Sequence, residues 1–199
     1  RVLSNDEIAK LWAETDRLGD FAAIIRLLLL TGQRREEVAA MRWSEIDLER
    51  RLWEIPGTRT KNHRPHQVPL SDQVLGILET LDRRQGRDLI FGTGKGGFSG
   101  FGQSKARSDR RSGLSGWRVH DLRRTAVTGM VEIGIQPHVV EAVVNHISGH
   151  KGGVAGIYNK ATYATEKRQA LKAWANALEA IAHGRAASSN VVAMTAALA

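Results

Sequence analysis

Hydrophobic residues recur at helical spacing over most of the chain, so the sequence predicts a mainly helical protein. Ser4 and Glu7 form a capping box at the start of an amphipathic helix, and Gly19 closes that helix. The next helix, capped by Asp20 and running to Leu30, is apolar nearly all round, which predicts a central place in the core. Further helices are expected at 33–41, 71–84, 120–133, 137–146 and 165–183.

A different pattern occupies residues 42–70, where short apolar runs are separated by turn residues. This pattern predicts a small three-stranded antiparallel sheet, so the fold class is α+β and mainly α-helical. The stretch 92–116 is basic and rich in Gly and Ser, and it is predicted as a long mobile loop. The glycines of 147–157 predict a second flexible segment.

Composition adds a basic charge to this picture. The 199 residues, 42% of them hydrophobic, suffice for one cored domain or a domain with a small appendage. The net charge of +8 is concentrated: residues 50–67 carry a net +4 and residues 104–124 a net +5, whereas 1–49 carry −3. Local concentration of positive charge favours a polyanionic partner, and nucleic acid is the commonest.

The absence of cysteine excludes disulfides, thiolate metal sites and a cysteine nucleophile. It also fits a reducing compartment, so a cytoplasmic protein is expected. No apolar run approaches membrane-spanning length, and no membrane partner is expected. The chain starts at Arg1 rather than Met, so we expect it to be part of a longer protein.

The candidate chemistry is the transfer of a phosphodiester to a tyrosine. Two arginines can bind phosphate oxygens and take the place of a metal ion, because a guanidinium is planar and always charged. A lysine can protonate the leaving alkoxide, and histidines can donate or accept near neutral pH. No Gly-x-x-x-x-Gly-Lys-Ser/Thr motif is present, so neither ATP nor another cofactor is expected. The candidate catalytic residues are Arg34, Lys61, His120, Arg123, His146 and Tyr158.

The surroundings of these residues resemble the motifs of tyrosine recombinases, the phage-type integrases. Residues 31–38, Thr-Gly-Gln-Arg-Arg-Glu-Glu-Val, are similar to the family's Thr-Gly-x-Arg-x-x-Glu box. Lys61 resembles its β-hairpin lysine, and 120–125, His-Asp-Leu-Arg-Arg-Thr, matches its His-x-x-Arg box. Residues 144–146, Val-Asn-His, are similar to its Leu-Gly-His, with Asn145 where glycine is usual. Tyr158 then falls where the family has its nucleophile.

The resemblance, which runs from about Ser4 to Leu178, implies a catalytic domain over 1–183 that cleaves and rejoins double-stranded DNA through a 3′-phosphotyrosine. It implies site-specific recombination by an integrase of a phage or other mobile element, working as a homo-oligomer, a tetramer, on DNA. The tail 184–199 is expected to contact a neighbouring protomer; the alternative is that it folds back onto its own core or is disordered. The amino-terminal DNA-binding domain that the resemblance implies is expected to lie outside this chain. Two alternatives stay open: a type IB-like DNA topoisomerase, and a DNA-binding module without catalysis.

Other residues carry weaker signals. Glu37 is expected to be structural, fixing an arginine or the turn. Tyr163 is the alternative nucleophile, since it lies only five positions after Tyr158. His63 and His66 lack further ligands at metal-binding spacing, so no metal site is expected. The tryptophans are expected in the core. The candidate DNA-contact residues are Arg59, Arg64, Lys105, Arg107, Arg118 and Arg124.

Overall fold

The computed structural model describes residues 1–15, 19–146 and 163–184. Within these residues the chain forms eight α-helices and a three-stranded antiparallel sheet, so the predicted fold class is confirmed. In chain order the elements are α1 Asn5–Glu14, α2 Asp20–Thr31, α3 Arg35–Ala39, β1 Ile46–Asp47, β2 Leu52–Ile55, β3 His66–Pro69, α4 Asp72–Glu79, α5 Phe101–Ser112, α6 Val119–Glu132, α7 Pro137–Val143 and α8 Ala164–Ala182. The predictions for Tyr158, for the segment 147–157 and for the tail from 185 onward lie outside the described residues.

The starts of α1 and α2 confirm one predicted cap and contradict another. The Ser4 hydroxyl accepts from the Glu7 backbone N–H at 3.3 Å, and the Glu7 carboxylate accepts from the Ser4 N–H at 3.0 Å, so the capping box of α1 is confirmed. Asp20 as the cap of α2 is wrong, because Gly19 holds that position. The Asp20 carboxylate instead accepts from the Gly92 N–H at 2.5 Å and thereby ties α2 to the loop before α5.

The sheet follows the order β1-β2-β3 and lies between α3 and α4 in the chain. Its first strand has only two residues, because 43–45 form a turn of 3₁₀-helix. Trp53 pairs with Ile46 on one side and with Val68 on the other, and its side chain is fully buried. The sheet thus buries one face and presents the β2–β3 connection, residues 56–65, at its end.

The core is built around α2, as predicted. Its residues from Leu27 to Leu30 are almost completely buried, and it packs against α6 and α8. Trp174 of α8 lies in this core and donates from its indole to the Leu29 carbonyl at 2.7 Å. Gly129 of α6 permits the approach of that ring, because a Cβ at this position would overlap it. No described helix is both long and apolar enough to cross a membrane.

The prediction of a long loop over 92–116 is wrong, because this stretch contains α5. Two aromatic contacts hold the helix. Phe101 at its start packs edge-on against Phe98, with ring centroids 5.0 Å apart. Asp109 on its last turns accepts from the Trp117 indole at 2.8 Å. The sequence did not predict this helix for two reasons. The helix is so polar that it has no apolar stripe, and the glycines around it favour a loop.

Candidate active site

The carbonyl groups at the end of α7 form the centre of the site. The last carbonyls of a helix lack partners within the helix and carry partial negative charge. Here, side chains from other elements supply the donors. The Val143 carbonyl accepts from Gln33 Nε2 and from His66 Nε2, each at 2.9 Å. A carbonyl can only accept, so the proton of His66 is on Nε2.

The next two carbonyls of this turn each bind an arginine. The Val144 carbonyl accepts from Arg123 Nη2 at 2.6 Å, and the Asn145 carbonyl accepts from Arg34 Nη2 at 3.4 Å. Arg34 precedes α3 and Arg123 belongs to α6, so their guanidinium groups converge from different elements on consecutive residues. The turn thereby places two positive charges side by side.

Arg123 is the more buried of the two, with 9% of its surface exposed. Its Nη1 donates to the Gly32 carbonyl at 2.7 Å, where α2 ends in a left-handed residue. Burial, together with the positive charge of Arg34, lowers the pKa of Arg123 to about 10. That pKa still leaves the guanidinium charged at neutral pH. Arg123 is therefore a buried cation whose two Nη atoms are held by backbone carbonyls.

Glu37 provides the counter-charge for this pair. Its carboxylate is buried and accepts from the Arg34 backbone N–H and from Arg34 Nη1, both at 3.1 Å. It also acts on the pKa of Arg123, raising it against the effect of Arg34. The structural role predicted for Glu37 is confirmed.

Next to Arg34 lies an open cleft of about 790 Å³. Three of the predicted catalytic residues, Arg34, Lys61 and His120, line it, and so do three of the predicted DNA contacts, Arg59, Lys105 and Arg118. Its lining contains six Lys and Arg residues against two Glu, so the cleft suits an anionic ligand. Arg123 and His146 are not among its lining residues.

Lys61 stands at the tip of the β2–β3 connection, and both of its neighbours in the chain are anchored. Thr60 is buried and donates from its hydroxyl to the Arg64 carbonyl at 2.8 Å. Asn62 donates from its amide to the Asn145 carbonyl at 3.2 Å. The Lys61 side chain itself is exposed at the cleft. The backbone at Lys61 is thus held on both sides, while its side chain reaches the cleft.

The two histidines of the set differ in position. His120, on the first turn of α6, is exposed at the cleft. Partial burial lowers its pKa, and the positive charges of Arg124 and Arg123 lower it further, which favours the neutral ring at pH 7. His146 is exposed at the end of the turn after α7, where its N–H donates to the Glu141 carbonyl at 3.0 Å.

The DNA-contact candidates fall into two groups. Three already have acidic partners: Arg59 is held by Glu45 through two bonds of 2.7 Å, Lys105 by Asp109 at 2.6 Å and Arg124 by Asp121 at 2.7 Å. The other three have exposed side chains: Arg64, Arg107 and Arg118. Arg118 combines this exposure with a position in the cleft, which makes it the best placed to meet a phosphate.

Tyr158 lies outside the described residues. The alternative nucleophile, Tyr163, precedes α8 in a left-handed backbone conformation with φ of 51°. Its ring lies against His138, with the ring centroids 5.4 Å apart. It does not line the cleft. Among the described residues, no three His, Asp or Glu side chains are grouped so that they could hold a metal ion.

The sequence did not predict several residues of this arrangement. They are Glu45, His66 as a hydrogen-bond donor, and Asn62 and Asn145, whose side chains bind each other. His66 is buried, and burial with the nearby charge of Lys167 lowers its pKa to about 3. Its place in an alternating strand run is the one signal that could have indicated burial. A hydrogen bond to a distant carbonyl leaves no pattern in a single sequence.

Known proteins resemble this chain in sequence. The model of the phage integrase family matches residues 1–165. The prophage integrase IntA of Escherichia coli (strain K12) is 38% identical over 159 residues, which are 78% of this chain and 38% of that protein. The prophage integrase IntZ of the same strain is 30% identical over 186 residues, which are 89% of this chain and 45% of that protein. The chain thus spans less than half the length of these relatives.

Solved structures confirm the fold. The integrase from mycobacterium phage Brujita superposes with a TM-score of 0.66 at 21% identity, over 86% of this chain and 57% of that one. The catalytic domain of bacteriophage HP1 integrase superposes with a TM-score of 0.55 at 20% identity, over 85% of this chain and 87% of that one.

Proposed function

Because the chain belongs to the phage integrase family, we propose that it is the DNA-cleaving and DNA-joining part of a site-specific recombinase from a phage or other mobile element. One observation carries the proposal. Arg34 and Arg123 bind consecutive carbonyls of one turn, and Arg34 lines the cleft that also holds Lys61 and His120. Two fixed cations beside a candidate proton donor suit a phosphodiester whose phosphorus becomes five-coordinate.

In the proposed reaction, Arg34 and Arg123 bind the non-bridging oxygens of the scissile phosphate. Tyr158 attacks the phosphorus and gives its phenol proton to the neutral ring of His120. The bond to the 5′-oxygen breaks, and Lys61 gives that oxygen a proton. His120 and His146 hydrogen-bond the phosphate and assist proton transfer. The 3′-phosphotyrosine link conserves the energy of the broken bond, so a second strand can be joined without ATP. The arginines supply the positive charge that a metal ion gives other phosphoryl-transfer enzymes, so no metal is needed.

We further propose how the chain works in its cellular setting. Double-stranded DNA in the cytoplasm of a bacterial host is its partner, and the relatives' names as prophage integrases support this. The catalytic domain covers 1–183, and a separate DNA-binding domain acts with it. A homo-oligomer, a tetramer on two DNA sites, keeps the strands in order. The tail 184–199 packs on a neighbouring protomer, for which the apolar run at 191–194 is the support.

A nicked DNA duplex tests the proposal, because the short strand released by cleavage diffuses away and leaves the protein bound to DNA. The chain should form a covalent complex with such a duplex in EDTA and without ATP. Tyr158→Phe should bind the DNA and form no complex, whereas Tyr163→Phe should still form it. Loss of cleavage in EDTA with recovery in Mg²⁺, at unchanged DNA binding, would contradict the metal-free mechanism.

The rival with related chemistry is a type IB-like topoisomerase. A plasmid assay separates the two activities, because a topoisomerase relaxes supercoils without exchanging partner strands. We expect the whole protein to join strands from two different DNA sites. Relaxation without any joined product would favour the topoisomerase, and DNA binding without a covalent complex would favour the non-catalytic module.

A further inference from the structure

We propose that the side chains of Asn62 and Asn145 form a positioning pair that holds Lys61 for proton transfer to the leaving 5′-oxygen. This inference rests on the proposed function. It concerns two residues that touch neither phosphate nor nucleophile in that mechanism, and it assigns them a measurable role in one step.

The two amides bind each other in both directions. Asn62 Nδ2 lies 3.0 Å from Asn145 Oδ1, and Asn145 Nδ2 donates to Asn62 Oδ1 at 3.2 Å. Asn62 Nδ2 also donates to the Asn145 carbonyl at 3.2 Å. Three contacts thus join the tip of the β2–β3 connection to the turn after α7, across 83 residues of sequence.

The backbone at Asn145 fits this task. Its φ is 50°, in the left-handed region. Glycine adopts this conformation at the lowest cost, and asparagine is the best tolerated residue with a side chain. A glycine would make the same turn without any side-chain contact. Asparagine accepts a small conformational cost and gains two contacts to the Asn62 amide.

The same turn binds the two arginines that are proposed to hold the phosphate. The Asn145 carbonyl that accepts from Asn62 also accepts from Arg34 Nη2, and the preceding carbonyl accepts from Arg123 Nη2. The Asn62–Asn145 pair therefore connects the residue next to Lys61 to the frame that fixes the scissile phosphate. Thr60 holds the other side of Lys61 through the Arg64 carbonyl. Without the pair, Lys61 keeps its charge and loses one of its two anchors.

The step at issue is breakage of the bond from phosphorus to the 5′-oxygen. As the tyrosine oxygen bonds to phosphorus, its phenol proton passes to the neutral ring of His120. The 5′-oxygen leaves with the bonding electrons and takes a proton from the Lys61 ammonium. A sulfur atom in place of that oxygen removes the need for the proton, because a thiol has a pKa of about 8.5 whereas the pKa of an alcohol lies many units higher. A nicked duplex with a bridging 5′-sulfur thus reports every part of the site except the proton donor.

The test uses the full 199-residue chain with oxygen and sulfur versions of the same nicked duplex. Asn145→Gly suits the left-handed turn and so preserves the fold; it removes the two side-chain contacts and keeps the one to the backbone carbonyl of residue 145. Asn62→Ala removes all three contacts, together with the 3.2 Å bond that the Arg64 N–H donates to Asn62 Oδ1. Both should cleave the oxygen duplex about tenfold more slowly, the scale expected when one or two net hydrogen bonds are lost. Both should cleave the sulfur duplex within about twofold of the unaltered chain, with unchanged DNA affinity. The double variant should be no slower than the slower single variant, because the residues act as a unit.

Asn176→Ala is the matched control. It also removes an asparagine from a side-chain hydrogen bond, here at 3.0 Å from Gln73, but on α8 away from the cleft, and both duplexes should react as with the unaltered chain. Unaltered rates on the oxygen duplex for Asn62→Ala and Asn145→Gly would overturn the inference. An equal loss on both duplexes would also overturn it, because the pair would then act on the arginines or on the fold. If the unaltered chain cleaves neither duplex, the proposed function fails, and this inference fails with it.

Discussion

The counter-charge of Glu37 allows a sharp test of the arginine pair. Its carboxylate is 3% exposed as a side chain and accepts two hydrogen bonds from Arg34, whose own side chain is 20% exposed. The change Glu37→Gln keeps the shape and removes the charge. Breaking a buried ion pair costs about 3 to 5 kcal/mol. The partial exposure of Arg34 and the remaining amide oxygen reduce this cost to about 2 to 3 kcal/mol in the free energy of unfolding.

Urea unfolding followed by tryptophan fluorescence measures this loss, because the chain contains five tryptophans. Glu36→Gln is the matched control. Glu36 is the adjacent residue, 72% exposed as a side chain and paired with the exposed Arg35, so its loss should leave the unfolding midpoint unchanged.

Sulfate or phosphate should stabilise the Glu37→Gln variant more than the unaltered chain. Without the carboxylate, only the backbone carbonyls that accept from Arg34 and Arg123 offset the repulsion between these two charges. A bound anion therefore relieves more repulsion in the variant than in the unaltered chain. Equal unfolding midpoints for the Glu37→Gln variant and the unaltered chain, or an equal response of both to sulfate, would refute the reasoning.

Three further predictions concern the core, the pH dependence and the DNA interface. Gly129→Ala should lower the free energy of unfolding by about 2 kcal/mol despite the better helix propensity of alanine, because its Cβ would overlap Trp174. Gly76→Ala on α4 is the control: its Cβ meets open space, so the change should raise the free energy of unfolding by up to about 1 kcal/mol. Equal effects of the two changes would contradict the close packing of Gly129 against Trp174. His66 has a pKa of about 3 when folded and about 6.5 when unfolded, so the unfolded chain gains a proton first as pH falls, and the folded state should lose about 2 kcal/mol between pH 7 and pH 5. His66→Gln, which keeps a donor, should flatten that part of the pH curve, and an unchanged slope would count against a buried neutral ring. Arg118→Gln should reduce the slope of log affinity against log salt for DNA by about 1, and an unchanged slope would place this arginine off the DNA.

Local patterns predicted the parts of the fold that depend on neighbours in sequence. The capping box at Ser4 and the apolar run of α2 are complete within a few residues, and both are confirmed. The helix α5 escaped prediction because its stability comes from Phe101 and Trp117 packing at its ends rather than from an apolar stripe. Tertiary contacts of this kind override local composition.

The sequence likewise predicted one part of the site and not the other. The motif order predicted that Arg34, Lys61 and His120 act together, and the structure places all three around one cleft. The turn after α7 could not be predicted, because a backbone carbonyl accepts from any donor that the fold delivers. Asn145 is the clearest case: its φ of 50° and its contacts to Asn62 arise only when the β2–β3 connection and α7 meet.

The central claim is that a tyrosine of this chain becomes covalently joined to the 3′ end of a cleaved DNA strand, and peptide mapping tests it most directly. The chain is incubated with the nicked duplex in EDTA, digested with trypsin and nuclease, and the peptide that carries the nucleotide is sequenced by mass spectrometry. The account predicts one modified residue, Tyr158, linked through a 3′-phosphate, and no adduct when Arg34 or Arg123 is replaced by alanine. An adduct on Tyr163, on a serine, or no adduct from the unaltered chain at any DNA concentration would contradict it.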